Sequence, residues 1–225
     1  MKHIIAAAVI AASIGAAASA GTLVTTDTGY TGPGLNLGAF ANGSYNFTFG
    51  PIMVDSFTFT SVNGGGNSGK GSVVGQGGYG LGGNGSFGGT ATYIGVDSGT
   101  GYAQLLGKTA YSQIGFFMNY GPGFGNDATI STLNAAGNVI QSYDLVTLAP
   151  ISTPGAMNAF MFRGVVDSTA DIYGLRFGGN YLLVTGTANG AVMGGVPEPA
   201  SWALMIAGFA LVGTAARRRR TAIAA

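Results

Sequence analysis

Residues 128–145 read ATISTLNAAGNVIQSYDL. Ile130 and Leu133 close one apolar, β-branched run, and Val139, Ile140 and Tyr143 open another. Between them lies Asn134-Ala135-Ala136-Gly137-Asn138. Asn and Gly take positive φ readily, so this pattern predicts two antiparallel strands joined by a turn of about three to five residues. The same rhythm continues downstream in NAFMFRGVV (158–166), DIYGLRF (171–177) and NYLLVTGTA (180–188). Asp167-Ser168-Thr169-Ala170 and Gly178-Gly179 are the expected turns between them. Upstream, TATYIGV (90–96) and SQIGFFMNY (112–120) are further β-rich runs. In IMVDSFTFTS (52–61), alternation puts Phe57 and Phe59 on one face.

That makes about eight strands, several at the spacing of a sandwich or barrel. No amphipathic helix of useful length is expected between residues 21 and 195. The predicted fold is mostly β: an antiparallel β-sandwich, jelly-roll-like, flanked by an N-terminal signal helix and a C-terminal transmembrane helix. Phe116, Phe117, Ile130, Val139, Phe160, Phe162, Ile172, Leu175 and Leu183 are the candidate core.

Composition agrees with strands and turns. Glycine supplies 42 of the 225 residues, and charged residues make up 8%. Glycine disfavours helix interiors because it loses the most backbone entropy on ordering. There is no cysteine, which removes disulfides, thiolate nucleophiles and cysteine metal sites together. The formal charge of +1 hides an uneven distribution. Residues 21–196 hold four basic residues against seven aspartates, a net charge of −3. No basic stripe exists to neutralise a phosphate backbone, so a nucleic-acid partner is not expected.

The two ends read as addresses. Residues 1–20, MKHIIAAAVIAASIGAAASA, begin with Lys2, run apolar, and close on Ala18-Ser19-Ala20. This is the pattern of a secretory signal cleaved after Ala20, with Ala18 and Ala20 as the small residues a signal peptidase accepts. At the other end, residues 200–216 carry no charge and would make a helix of roughly 25 Å. That is the short end of what spans a hydrocarbon core. Trp202 marks the interface, and Arg217, Arg218, Arg219 and Arg220 act as a cytoplasmic stop. Just before the apolar run, Pro197 and Pro199 lack N–H donors and fix φ, so the segment is extended.

Val196-Pro197-Glu198-Pro199-Ala200-Ser201-Trp202-Ala203, the apolar run and the four arginines resemble the PEP-CTERM sorting signal in its PEPxxWA variant. The resemblance covers about the last 30 residues. It implies recognition by an exosortase, an integral-membrane cysteine protease of Gram-negative bacteria. It also implies transient anchoring in the inner membrane, tail removal, and delivery to the cell surface or extracellular polysaccharide. Pro197, Glu198, Pro199, Trp202 and Ala203 are the motif positions carried over. Proteins of this kind also resemble the present chain in a Gly-Asn-turn hairpin followed by a run like DIYGLRF. The domain plan is then a signal at 1–20, a β-sandwich ectodomain at 21–195 and a sorting tail at 196–225.

Within the body, residues 61–90 stand apart, with glycine at fourteen of thirty positions. GGYGL and GGNGS suggest a calcium β-roll, but no aspartate occurs there to ligate. The expectation is a flexible or irregular loop; the functional alternative is a hydrogen-bonding glycan surface with Tyr79 and Phe87 as platforms.

Enzymatic chemistry is not expected. His3 is the only histidine and lies in the signal; Glu198 is the only glutamate and lies in the tail. No catalytic residues are assigned, because Asp27, Asp55, Asp97, Asp127, Asp144, Asp167 and Asp171 show no pair at a suggestive spacing. No cofactor is expected. A structural calcium held by Asn126-Asp127, or by Asp167 with Asp171, competes with plain turn capping. The reading is an exported, non-catalytic surface or matrix protein associated with exopolysaccharide. The alternative is a carbohydrate-binding module with a groove lined by Tyr93, Tyr102, Tyr111 or Tyr120.

Overall fold

The computed structural model describes residues 21–65, 69–76, 91–120, 127–151 and 160–186. The signal, the sorting motif and the C-terminal apolar run lie outside the described residues. Among the described residues, no helix is long and apolar enough to cross a membrane.

Eleven strands form one sheet in which every named pairing is antiparallel. They are β1 (Thr22–Val24), β2 (Tyr45–Thr48), β3 (Ile52–Val54), β4 (Phe57–Val62), β5 (Ser72–Gln76) and β6 (Thr92–Tyr111). Then follow β7 (Gln113–Asn119), β8 (Thr129–Leu133), β9 (Val139–Asp144), β10 (Met161–Val166) and β11 (Ile172–Thr185). Among the described residues, helix is limited to a 3-10 turn at Gly38–Phe40 and the four-residue α1 (Leu145–Leu148).

Two long strands organise the molecule. β6 has 20 residues and β11 has 14, and they pair with each other along both of their halves. Near Ile94 and Val184, β6 is flanked by β5 and β11 by β7, with β2, β10 and β1 completing that half of the sheet. Near Leu105 and Leu175, the flanks are β4 and β8, with β3 and β9 outside them. Between the halves the β6–β11 ladder slips at Gly178, Gly179 and Leu182. Gly179 has φ +110 and Tyr181 φ +55, which a regular strand does not allow. Asp127 pins this irregularity: Oδ1 accepts the Asn180 backbone N–H at 3.0 Å and Oδ2 accepts its side-chain amide at 3.3 Å.

Side chains from both halves share one core. Phe116 of β7 lies 5.9 Å from the Phe57 ring of β4 and 6.4 Å from Phe177 of β11, both edge-on. Ile94, Leu105, Ile114, Met118, Ile130, Leu175 and Val184 belong to the same cluster. A second, smaller cluster lies on the other face of the first half, around Val73, Tyr93, Phe160 and Leu183.

Several expectations need correction. Residues 52–61 are not one strand but a tight hairpin, because Asp55 turns the chain at φ +54. Phe57 and Phe59 still share the inner face. Gly178-Gly179 is no turn: the ladder runs on through it, and residues 172–177 and 180–185 belong to the single strand β11. The run at 90–96 extends to Tyr111 despite four glycines, since neighbours on both sides keep its backbone paired. The glycine-rich stretch contains β5, whose Ser72 hydroxyl is 2.8 Å from that of Ser61 in the interior. Residues 66–68 and 77–90, with Tyr79 and Phe87, lie outside the described residues. Val139 is 42% exposed rather than core, because β9 is an edge strand.

Candidate functional site

On the second half of β6, Ala103 and Leu105 point into the core, so Tyr102, Gln104, Leu106 and Lys108 face outward. On β11, Leu175 and Phe177 point inward and Arg176 outward. Pairing aligns Thr60, Gln104, Arg176, Ser131 and Ser142 in one row across five strands. This is a polar sheet face, and Arg176 is its centre.

The guanidinium of Arg176 is held from several sides. Its Nε and Nη2 donate to Gln104 Oε1 at 3.2 and 3.0 Å. Nη2 also donates to the Gly137 carbonyl at 3.3 Å. The group lies over the Tyr102 ring, 4.0 Å from its centroid, in cation–π geometry. The Gly137 contact explains the turn between β8 and β9. That turn lies close to Leu106 and Gln104, where an added Cβ would rest in ordinary contact, so it is the φ of +77 that calls for glycine at 137. Asn134 closes the same turn by accepting the backbone N–H groups of Ala136 and Asn138, both at 3.0 Å. Beside Arg176, the Ser131 and Ser142 hydroxyls lie 2.7 Å apart. Gly174 and Gly178 sit two residues away along β11, so no side chain crowds the arginine along its own strand.

The four tyrosines expected to line a groove do not come together. Tyr93 and Tyr120 are 0% and 1% exposed, which removes them as stacking platforms. Tyr111 is half-buried, 6.3 Å from Phe57. Only Tyr102 lies on the polar face, with Arg176 across its ring. Tyr120 serves a different purpose. Its hydroxyl accepts from Arg163 Nε at 2.8 Å and donates to the Ala149 carbonyl. Burial pushes the Tyr120 phenol up, and the hydrogen bond from Arg163 opposes this in part.

Four of the aspartates accept from backbone N–H groups. Asp144 caps α1, accepting from the Val146 and Thr147 N–H groups and from the Thr147 hydroxyl at 2.7 Å. Those bonds, the Thr147 hydroxyl first, hold its carboxyl below the usual range. Asp167 accepts the Thr169 N–H at 2.9 Å within its turn, and Asp55 accepts the Asn36 N–H at 3.0 Å. Asp127 spends both oxygens on Asn180; Asn126 lies outside the described residues. Among the described residues, no group of three His, Cys, Asp or Glu side chains is placed to hold a metal ion.

Sequence reasoning missed the Arg176 hub. The signal was present in YGLRFGG, where an arginine sits between glycines and alternates with Leu175 and Phe177. Period-two alternation puts such an arginine on the solvent face, with a glycine on either side to clear it.

Residues 195–220 match the family model of the PEP-CTERM protein-sorting motif. The chain therefore carries this motif near its C-terminus, as an exosortase substrate does. No curated protein and no solved structure matches the chain.

Proposed function

We propose that this is a non-catalytic surface or matrix protein, sorted by exosortase and held in extracellular polysaccharide. The observation that carries the reading is the sorting motif at 195–220, which follows a body built of antiparallel strands. The motif supports export of an exosortase substrate to the cell surface of a Gram-negative bacterium. On this reading the apolar run after the motif is a membrane helix stopped by Arg217–Arg220. The body beyond it is a sandwich of the two half-sheets. The polar, hydroxyl- and amide-bearing face around Arg176 suits contact with glycans better than a tyrosine-lined groove, since Tyr93 and Tyr120 are buried.

The body gives little support to catalysis. Asp127, Asp144 and Asp167 are engaged in backbone and cap bonds, and the chain's single histidine lies at position 3. The test follows the full chain in cells with and without exosortase. The C-terminal segment is expected to be lost only when exosortase is present. Glu198→Ala should leave membrane insertion intact and block that processing. An intact, membrane-bound chain in both strains would overturn the sorting mechanism.

A further inference from the structure

We infer that the Arg176 face binds the carboxylates of an acidic polysaccharide. This deepens the polysaccharide association proposed above and rests on it. The argument begins with the charge. Arg176 and Arg163 are the only arginines between residues 21 and 196. Arg163 is 2% exposed and bonds three oxygens inside the protein. Arg176 is only partly buried on a sheet face, and all of its acceptors are neutral. No carboxylate among the described residues bonds its guanidinium, so its charge is available to a ligand.

Geometry supplies the second part. Nε and Nη2 are fixed by Gln104 and Gly137, and the plane is fixed by Tyr102. Nη1 has no acceptor among the described residues, so its two N–H groups remain for a bound oxygen. An arginine on a surface normally loses rotamer entropy when it binds; this one is already held. The exposed Ser142 hydroxyl lies in the same row, two strands away from Arg176, as a secondary partner. A guanidinium of this kind favours an anion over a neutral hydroxyl, because charge-assisted hydrogen bonds are roughly twice as strong. Within a polysaccharide, the matching anion is a uronate carboxylate.

The test uses the purified full chain in detergent, with polygalacturonate as acidic polymer and dextran as neutral polymer. Binding to polygalacturonate is expected to exceed binding to dextran and to weaken as salt is raised, since exposed charges are screened over about 8 Å at 0.15 M. Arg176→Gln should weaken polygalacturonate binding about tenfold and leave dextran retention unchanged. Arg176→Lys, which keeps charge but not the held plane, should fall between. A wild-type measurement guards against misfolding of the variants: the Arg176 Nε–H resonance should move on adding polygalacturonate and stay still with dextran. Equal retention on both polymers, unaltered in Arg176→Gln, would overturn the acidic-sugar assignment and leave polysaccharide association standing. A still Arg176 resonance while polygalacturonate binds would overturn it in the same way. Retention on neither polymer would overturn both.

Discussion

Single side chains in this molecule do work usually left to ion pairs. Arg163 is buried against neutral oxygens: Tyr120 Oη at 2.8 Å, the Phe162 carbonyl at 2.7 Å and the Ala149 carbonyl at 3.0 Å. Arginine suits the place, being weakly hydrated and rich in donors. Arg163→Ala should cost about 3 kcal/mol, through a cavity and an orphaned carbonyl. The melting temperature should then fall by roughly 6–12 °C for a body of this size. Arg163→Met, which refills the volume, should lose less. Equal melting of Arg163→Ala and wild type would show that the cluster is dispensable. Buried tyrosines set the alkaline limit. Desolvation pushes the phenols of Tyr30, Tyr120 and Tyr143 above their ordinary value, with the Asp167 charge adding to the effect at Tyr143. The unfolded chain releases these protons near pH 10, the ordinary range of a tyrosine phenol, while the folded chain keeps them. Above that pH the unfolded state binds fewer protons, so stability must fall as pH rises. Thermal melts should stay level through neutral pH and drop beyond about pH 10. Tyr30→Phe should shrink the alkaline drop while lowering stability at pH 7, because the Tyr30 hydroxyl donates to Pro33 O at 2.9 Å and accepts from Gly115 N–H at 3.0 Å.

At the level of elements, the irregular passage of β11 decides how two half-sheets become one molecule. A Cβ on Gly179 would lie 2.6 Å from the Asp127 carbonyl and 2.8 Å from Ala128, at a φ of +110. Gly179→Ala should therefore cost about 2–4 kcal/mol in denaturant unfolding. Gly29 is the control, since its φ is +75 but nothing lies within 4 Å of an added carbon. Gly29→Ala should cost only about 1 kcal/mol, and a similar loss at both sites would mean that crowding at the bulge is immaterial. The same passage marks where sequence reading fails. The β8–β9 hairpin was legible because Asn134 and Gly137 supply both the turn bonds and the positive φ. At Gly178-Gly179 the residue types again signal a turn, yet the ladder to β6 continues through them. Glycine permits either outcome, and long-range pairing chooses. β5 was hidden for a related reason. Gly71 and Gly75 look like linker residues, but each lets a neighbouring backbone approach, with Gly75 at φ +143 against Ser44 and Tyr45. At the candidate site, Arg176 was visible as an outward residue, while its ties to Gln104, Gly137 and Tyr102 depend on partners 39 to 74 residues away that no local pattern reveals.

Across the whole molecule, the two long strands make independent unfolding of either half unfavourable. Losing the half that holds β4 and β8 would strip pairing from half of β6 and half of β11. It would also expose Phe116, which the other half presents to Phe57 and Phe177 across the shared core. With no cysteine in the chain, no disulfide divides the cost, and burial must supply the stability. The described body should therefore unfold in one transition, with tyrosine fluorescence and far-UV circular dichroism giving the same midpoint. Phe116→Ala tests the coupling. It removes a ring that is 0% exposed and touches both halves, at a cost of about 3–5 kcal/mol. If the halves are one unit, the variant shifts both signals to a single lower midpoint. If they are separable, the signals part, and the half built on β6 and β11 near Ile94 melts apart from the half near Leu105. Such a split would refute the shared core as the source of cooperativity and would leave β6 and β11 as connectors between two independently stable sheets.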